Sequence, residues 1–455
     1  MGRAASGTTF RSPASRRNLE LNLSRIRPRT PLPNSNMRSI SKFSMGIGDR
    51  FGMEGVAQLR GFQAALDRGV TITPVWNKSN REHSLIGTRP EDVRSEADAA
   101  VAHCRWQGDH FVDADHIGLG TVDKFLAASD FFTIDVADAI GKPASDEAIA
   151  AYTAAMQRFM GALSIPGIAE PLSVTRASLT EIAAKYLFAV EEAGRVYRHI
   201  AQSKGEGSFV TEVSFDEALT PQTPAELLFI LAAAAREGIP VATVAPKFTG
   251  EFLKGIDYVG DVGRFTQEFA DDLAVLAFVR KTFALPDGLK LSIHSGSDKF
   301  TLYPIMHRAL RAANAGIHLK TAGTTWLEEV IGLAAAGSEG LAFAKALYRE
   351  AYGRYDEMAK PYLTVIAIDR KALPEPAEVD GWSAEAYVAA LEHDQSCPRF
   401  SIHFRQMVHI SFRLAAEQQP RYLALLEANR ASIEAHVFAN ILKRHIEPLF
   451  LGTTA

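Results

Sequence analysis

Two histidines carry the most chemistry in this sequence. His116 closes the run Asp113-Ala114-Asp115-His116, and His294 opens Ser295-Gly296-Ser297-Asp298-Lys299. Imidazole and carboxylate are the usual ligands of a catalytic divalent metal, which takes three protein ligands and keeps one position open. His116, His294 and the carboxylate of Glu212 make a candidate set of that kind. Asp115 would lie beside such a metal and serve as general acid and base, because proton transfer needs a carboxylate within hydrogen-bond reach. Asp113, two residues earlier, shares a strand face with Asp115 and joins Glu212 as a further catalytic candidate. Taken singly, each has an ordinary structural reading, as a hydrogen-bonded loop histidine or a carboxylate tied to a lysine or an amide. Their placement relative to the chain's elements favours the catalytic one.

Short β-rich runs fall at Phe43 to Gly48, Thr71 to Trp76, His110 to Asp115, Phe131 to Asp135, Phe209 to Val213, Val241 to Ala245, Leu289 to His294 and Ile317 to Thr321. Between them, apolar residues at helical spacing predict helices over Val56 to Leu66, Glu91 to Cys104, Val122 to Ala128, Leu179 to Gln202, Pro224 to Glu237, Gln267 to Phe283 and Tyr303 to Ala313. Eight strands alternating with helices predict an α/β fold, a (β/α)8 TIM barrel whose catalytic groups sit at the C-terminal strand ends. A doubly wound open sheet is the alternative. The strand ends carry the unusual polar residues: Asp49 and Arg50, Asn77 and Lys78, Asp135 and Asp138, Lys247, Ser295 and Ser297, then Lys320, Thr321 and Thr324. The turns after strands seven and eight could hold an anion through backbone amides. Lys247, Lys299 and Lys320 are candidates to pair with a substrate carboxylate. Arg81, His83, His403 and His409 admit either a structural or a site role.

Residues 1–39, rich in Arg, Ser and Pro, predict a disordered N-terminal tail, with Met37 or Met45 as alternative starts. The barrel spans 40–360, with a helical insertion over about 141–207 after strand four. A mostly helical extension, 361–455, packs on the barrel or covers its mouth. Hydrophobic residues make up 47% and charged residues 22%, a globular composition, and a formal charge of -4 argues against nucleic-acid binding. Cys104 and Cys397 have no metal or disulfide spacing, which suits a reducing cytoplasm. No stretch is long and apolar enough to predict a membrane span. The expected partner is a small molecule, and a homo-oligomer stays open.

At Asp115-His116 and His294-Ser295-Gly296-Ser297 the chain resembles the class II, metal-dependent ketose aldolases, in which an Asp-His pair ends one strand and a His-Gly-Gly-Ser turn ends another. The resemblance implies a zinc ligand at His116 and a proton carrier at Asp115. It departs at strand six, where Val244-Ala245-Pro246-Lys247 lacks the aldolases' further ligand histidine, so Glu212 is the substitute. From Phe43 to Leu451 the chain is similar to the tagaturonate epimerase family. The carrying segments are Gly46-Ile47-Gly48-Asp49-Arg50-Phe51, Trp76-Asn77-Lys78-Ser79-Asn80-Arg81-Glu82-His83, Val112 to Ile117 and Asp130 to Asp138. This implies a cytoplasmic, metal-dependent isomerase of hexuronate catabolism. It would interconvert D-tagaturonate and D-fructuronate, with tagatose and fructose as neutral counterparts. Zinc leads as cofactor, and manganese, nickel and cobalt fit the same ligands. The epimerised carbon is β to the ketone, so loss of its proton gains no enolate stabilisation, whereas breaking the adjacent C–C bond does. A retro-aldol and aldol sequence follows. A hydride route lacks a Gly-x-Gly-x-x-Gly fingerprint after a strand. The rival enzyme is a class II-type sugar or sugar-acid aldolase.

Overall fold

The computed structural model describes residues 38–453. The expected disordered tail, with its arginines and Met37, falls almost wholly on residues outside that range. Eight strands close into a barrel in sequence order: Phe43–Ile47, Ile72–Ser79, Phe111–Ile117, Phe131–Asp135, Val210–Ser214, Val241–Ala245, Lys290–Ile293 and Ile317–Lys320. Every neighbouring pair is parallel. The closed barrel replaces the open-sheet alternative. Ile40, Val75, Phe111, Phe131 and Val210 form an apolar cluster of their own, so the chain entering the first strand contributes to the packing.

Most crossovers are helical, as the apolar periodicity demands. The helices Gly55–Asp67, Pro90–Cys104, Pro224–Arg236, Val262–Phe283 and Tyr303–Ala312 lie close to their expected positions. The run Val122 to Ala128 is different, forming only the 3-10 turn Val122–Lys124. A single short turn following Gly118 and Gly120 cannot repay helix nucleation. The insertion also departs from an all-helical one. It consists of helix Asp146–Met156, an antiparallel pair Gly161–Leu163 with Leu172–Val174, and the long helix Arg176–Lys204. Pro166, Gly167 and Pro171 fall in the connection of that pair, where helix cannot continue. Thr175 and Ser178 cap the long helix reciprocally, and it packs on helix Pro224–Arg236.

The ring is completed by the chain's last helix, not by the helix that follows the eighth strand. Asn440–Leu451 packs against both Gly55–Asp67 and Tyr303–Ala312, and Ile441, Leu442, Ile446, Leu449 and Phe450 join the barrel's apolar core. Close approach depends on Gly61, where a Cβ would meet Ile441 Cγ2 at 2.7 Å. Helix Thr325–Ala336 instead packs in a second apolar cluster built around Trp326, Tyr348, Tyr387, Phe404 and Tyr422. No helix among the described residues is long and apolar enough to cross a membrane.

A buried ion pair fastens this C-terminal region to the barrel. Arg405 donates to Asp298 Oδ2 at 2.6 Å, to the Gly255 carbonyl at 2.6 Å and to the Leu391 carbonyl at 2.6 Å. Both charges are fully buried, and Arg405 holds the Asp298 carboxyl well below the usual range against its desolvation. Removing one partner strands the other charge in the interior. Arg405→Met should therefore lower the unfolding free energy by roughly 3–5 kcal/mol, as read by denaturant titration.

Candidate active site

His116 sits at a break in the regular pleat. The pairing of the third and fourth strands shifts register between Ala114 and Ile117, and His116 itself has φ of 51°. In a regular strand Asp115 and His116 would face opposite sides. The bulge and left-handed residue re-aim the imidazole, so both side chains line one cavity. Ser295, just after His294, is likewise left-handed at φ 47°. Backbone strain at two strand ends is what a built site tolerates.

The two imidazoles meet edge to face, with ring centroids 5.0 Å apart. Each is oriented from behind by a carboxylate. His116 Nδ1 donates to Asp135 Oδ2 at 3.0 Å, and His294 Nε2 donates to Glu212 Oε1 at 2.6 Å. The remaining nitrogens are His116 Nε2 and His294 Nδ1. His294 Nδ1 is buried without a hydrogen bond, although Asp216 Oδ2 lies 3.2 Å away. His116, Asp216 and His294 thus form a group whose ligand atoms all lie within 4.8 Å of one another. A histidine held by a carboxylate on one nitrogen and directed at a shared point by the other is the usual outer arrangement of a metal ligand. The donor set of two imidazoles and one carboxylate suits a divalent cation with an open side.

The expected third ligand, Glu212, does something else. Fully buried, it accepts from His294, from Thr243 Oγ1 at 2.6 Å and from Thr133 Oγ1 at 3.2 Å, and it lies 3.2 Å from Lys320 Nζ. Asp216, two residues beyond the fifth strand, takes its place in the converging group. The chain turns after Ser214, whose hydroxyl donates to Asp216 Oδ1 at 2.5 Å and steers that carboxylate. The signal available in the sequence was the Asp216-Glu217 pair in the loop after that strand.

Lys320 is also not free for a substrate. Its ammonium donates to Asp113 Oδ2 at 2.8 Å, Asp115 Oδ1 at 2.7 Å and Thr133 Oγ1 at 2.6 Å. Burial opposes that charge, but Asp113, Asp115 and Glu212 raise it well above the usual lysine range. Burial in turn would raise Asp115, yet Lys320, His116 and His294 hold it well below the ordinary carboxylate range. Asp113, wholly enclosed, is pushed up by desolvation to about 6. It accepts from the Thr133 amide and hydroxyl and does not line the cavity, so its role is to hold Lys320. His116 and His294 lose charge to burial, but Asp115 beside the first and Asp216 beside the second outweigh that loss, raising them to about 10 and about 9.

The cavity, about 580 Å³, is lined by Arg50, Asn77, Asp115, His116, Asp216, Lys247, His294, Ser295, Ser297, Lys320 and Thr321, among others. Four expected binding residues lie outside it. Asp49 is consumed by the amides of Phe51 at 2.7 Å, Met53 at 3.0 Å and Glu54 at 2.7 Å, and by Gly52. Lys78, on the strand face opposite Asn77, donates to the Arg50 carbonyl at 2.9 Å. Thr324 turns its hydroxyl back to the Thr321 carbonyl. Lys299 likewise binds three carbonyls, of Leu253, Ile256 and Ser297. His83 bonds Thr88 and His403 accepts from the Asp369 amide, whereas Arg81 and His409 reach the cavity wall. Glu82 and Lys254 also line it; neither stood out in the sequence, because single charges in loops look like solvated surface.

Fold and site together define an α/β-barrel enzyme with a His and carboxylate cluster at the C-terminal strand ends, the face where such barrels do their chemistry. The chain belongs to the tagaturonate epimerase family (UxaE), which matches residues 11–449, and it is an isomerase-type enzyme. It is 28% identical over 433 residues to the tagaturonate/fructuronate epimerase of Thermotoga maritima, covering 91% of this chain and 82% of that one. The native crystal structure of fructuronate-tagaturonate epimerase UxaE from Cohnella laeviribosi superposes with a TM-score of 0.74 at 23% identity, over 91% of this chain and 82% of the other. Its form with two glycerols gives 0.75 at 23% identity, over 91% and 83%. These likenesses support the fold.

The carboxylates behind the imidazoles can be tested separately from the triad. Asp135→Ala removes the acceptor that fixes the His116 ring, and metal affinity measured by competitive chelator titration should weaken roughly 10–100-fold. An unchanged affinity would show that Asp135 does not position a metal ligand.

Proposed function

We propose that this protein interconverts D-tagaturonate and D-fructuronate by a metal-dependent retro-aldol and aldol sequence, with Asp115 as proton carrier. The observation that carries the reading is the arrangement of His116, Asp216 and His294, two imidazoles each backed by a carboxylate, beside a buried and ionised Asp115. His116, Asp216 and His294 would hold the divalent cation, zinc first among the metals such donors accept. When bound it supplies a Lewis acid that polarises the substrate ketone.

The chain's own residues account for the remaining steps. Asp115 takes the proton of the hydroxyl on the reacting carbon. The C–C bond between that carbon and the carbon next to the ketone then breaks, its electron pair passing into conjugation with the carbonyl, and the hydroxyl carbon becomes an aldehyde. The aldehyde turns over its other face, the bond re-forms, and Asp115 returns the proton to the new alkoxide. Lys320 keeps Asp115 in place throughout. A cavity of about 580 Å³ is ample for a six-carbon acid and partly shields the fragments from water. Arg50, Asn77, Lys247, Ser295, Ser297 and Thr321 remain its polar lining for the substrate hydroxyls.

Incubation with D-tagaturonate in heavy water should yield fructuronate with no solvent deuterium at the epimerised carbon. Accumulating three-carbon fragments would instead make the protein an aldolase, and deuterium at that carbon would rule out C–C cleavage. Asp115→Asn should retain bound metal while turnover falls by about 10²–10⁴-fold, the usual contribution of a positioned acid and base. Full activity in that variant would remove Asp115 from the reaction.

A further inference from the structure

The cavity is lined by two unlike groups of residues. One is the triad of His116, Asp216 and His294. The other comes from the loop after the sixth strand and from the C-terminal region, through Lys254, Pro361, Thr364, Val365 and His409. Asp115 lines the cavity with both, next to His116 in the chain and within the electrostatic reach of Lys254.

Lys254 is the unusual member of this second group. Its backbone is pinned on both sides, the amide donating to the Val365 carbonyl at 2.9 Å and the carbonyl accepting from Gln406 Nε2 at 3.1 Å. The adjacent Gly255 carbonyl is held by Arg405 at 2.6 Å. Three ties to the C-terminal region fix where this lysine starts from. Its ammonium has no hydrogen-bond or ion-pair partner among the described residues, and burial depresses it below the usual lysine range. The nearby acids are already committed. Glu82 pairs with Arg50 at 3.2 Å, and Asp115 with Lys320 at 2.7 Å. A partly desolvated, unpaired ammonium facing a cavity favours an incoming anion.

The substrate of the proposed reaction has its groups in a matching order. The ketone lies toward one terminus, the reacting hydroxyl carbon is two carbons further along, and the carboxylate is at the opposite terminus. We propose that Lys254 receives the substrate carboxylate and so selects uronates over neutral ketohexoses, an assignment that rests on the epimerase reading above. The ketone then falls at the triad, the reacting hydroxyl at Asp115, and the carboxylate at Lys254. Lys320, buried among three carboxylates, is excluded from this task by its own partners.

The test compares wild type with Lys254→Met and Lys254→Arg on D-tagaturonate and on D-tagatose, alongside calorimetric binding of two unreactive probes, D-galactonate and galactitol. Loss of a charge-assisted hydrogen bond should raise KM for tagaturonate about 10–100-fold with kcat little changed. KM for tagatose should shift far less than KM for tagaturonate in Lys254→Met, and Lys254→Arg should recover part of the uronate affinity. Galactonate binding should fall with the KM effect while galactitol binding stays constant. Equal losses on both sugars would show a merely structural lysine, and an unchanged KM for tagaturonate would place the carboxylate elsewhere; either overturns the assignment. Should the wild type turn over neither uronate, the epimerase reading fails, and the galactonate and galactitol pair still decides whether Lys254 binds a sugar-acid carboxylate.

Discussion

One ammonium organises the interior of this barrel. Lys320 rises from the eighth strand to meet Asp113 and Asp115 of the third, Thr133 of the fourth and Glu212 of the fifth. Four strands that are not all neighbours are thereby tied through a single buried charge. None of the carboxylates could be enclosed singly at tolerable cost, and a lysine without them would lose its proton. The network must form as a unit, and it sets the position of everything above it. Glu212 fixes the His294 ring, Asp115 stands beside His116, and Asp113 braces the lysine from below.

That dependence explains which parts of the site were legible in the sequence. Strand number, the barrel and the placement of His116 and His294 follow from periodicity and from polar residues recurring at strand ends, both local properties. Partnership is not local. Lys320 reads as a free cation until its three acceptors, about 190 to 210 positions away in the chain, are seen to surround it. Asp49 and Thr324 look like rim residues but serve the turns they stand in, and Lys78 follows from strand alternation, because Asn77 already takes the inward face. Asp216 lies beyond the strand, where no periodicity indicates direction, and only the hydroxyl of Ser214 and the two imidazoles give it one.

The C-terminal region was legible as helical but not in its purpose. Its last helix fills a place in the ring, and earlier parts of it supply cavity wall, Thr364 and Val365 from a turn and His409 from helix Ile402–Ile410. The buried pair Arg405 and Asp298 joins these two functions, since Asp298 belongs to the turn after His294 and Arg405 also grips the loop that carries Lys254. Triad and this part of the wall are therefore referenced to the same rigid knot. Such coupling would suit the proposed reaction, in which a released fragment must turn over without leaving.

The same charges bear on how the proposed cation and proton carrier would coexist. Asp115, Asp135, Asp216 and Glu212 surround two imidazoles and favour positive charge on both, raising them to about 10 and about 9. A metal ligand must be neutral imidazole, so a divalent cation held by the triad would displace two protons and bring two charges in their place. The local charge is conserved, and the network around Lys320 need not rearrange. Asp115 keeps its ionised state in either case, because Lys320 stays beside it. In the proposed reaction Asp115 would enter as a carboxylate held in place by Lys320 and ready to take the hydroxyl proton.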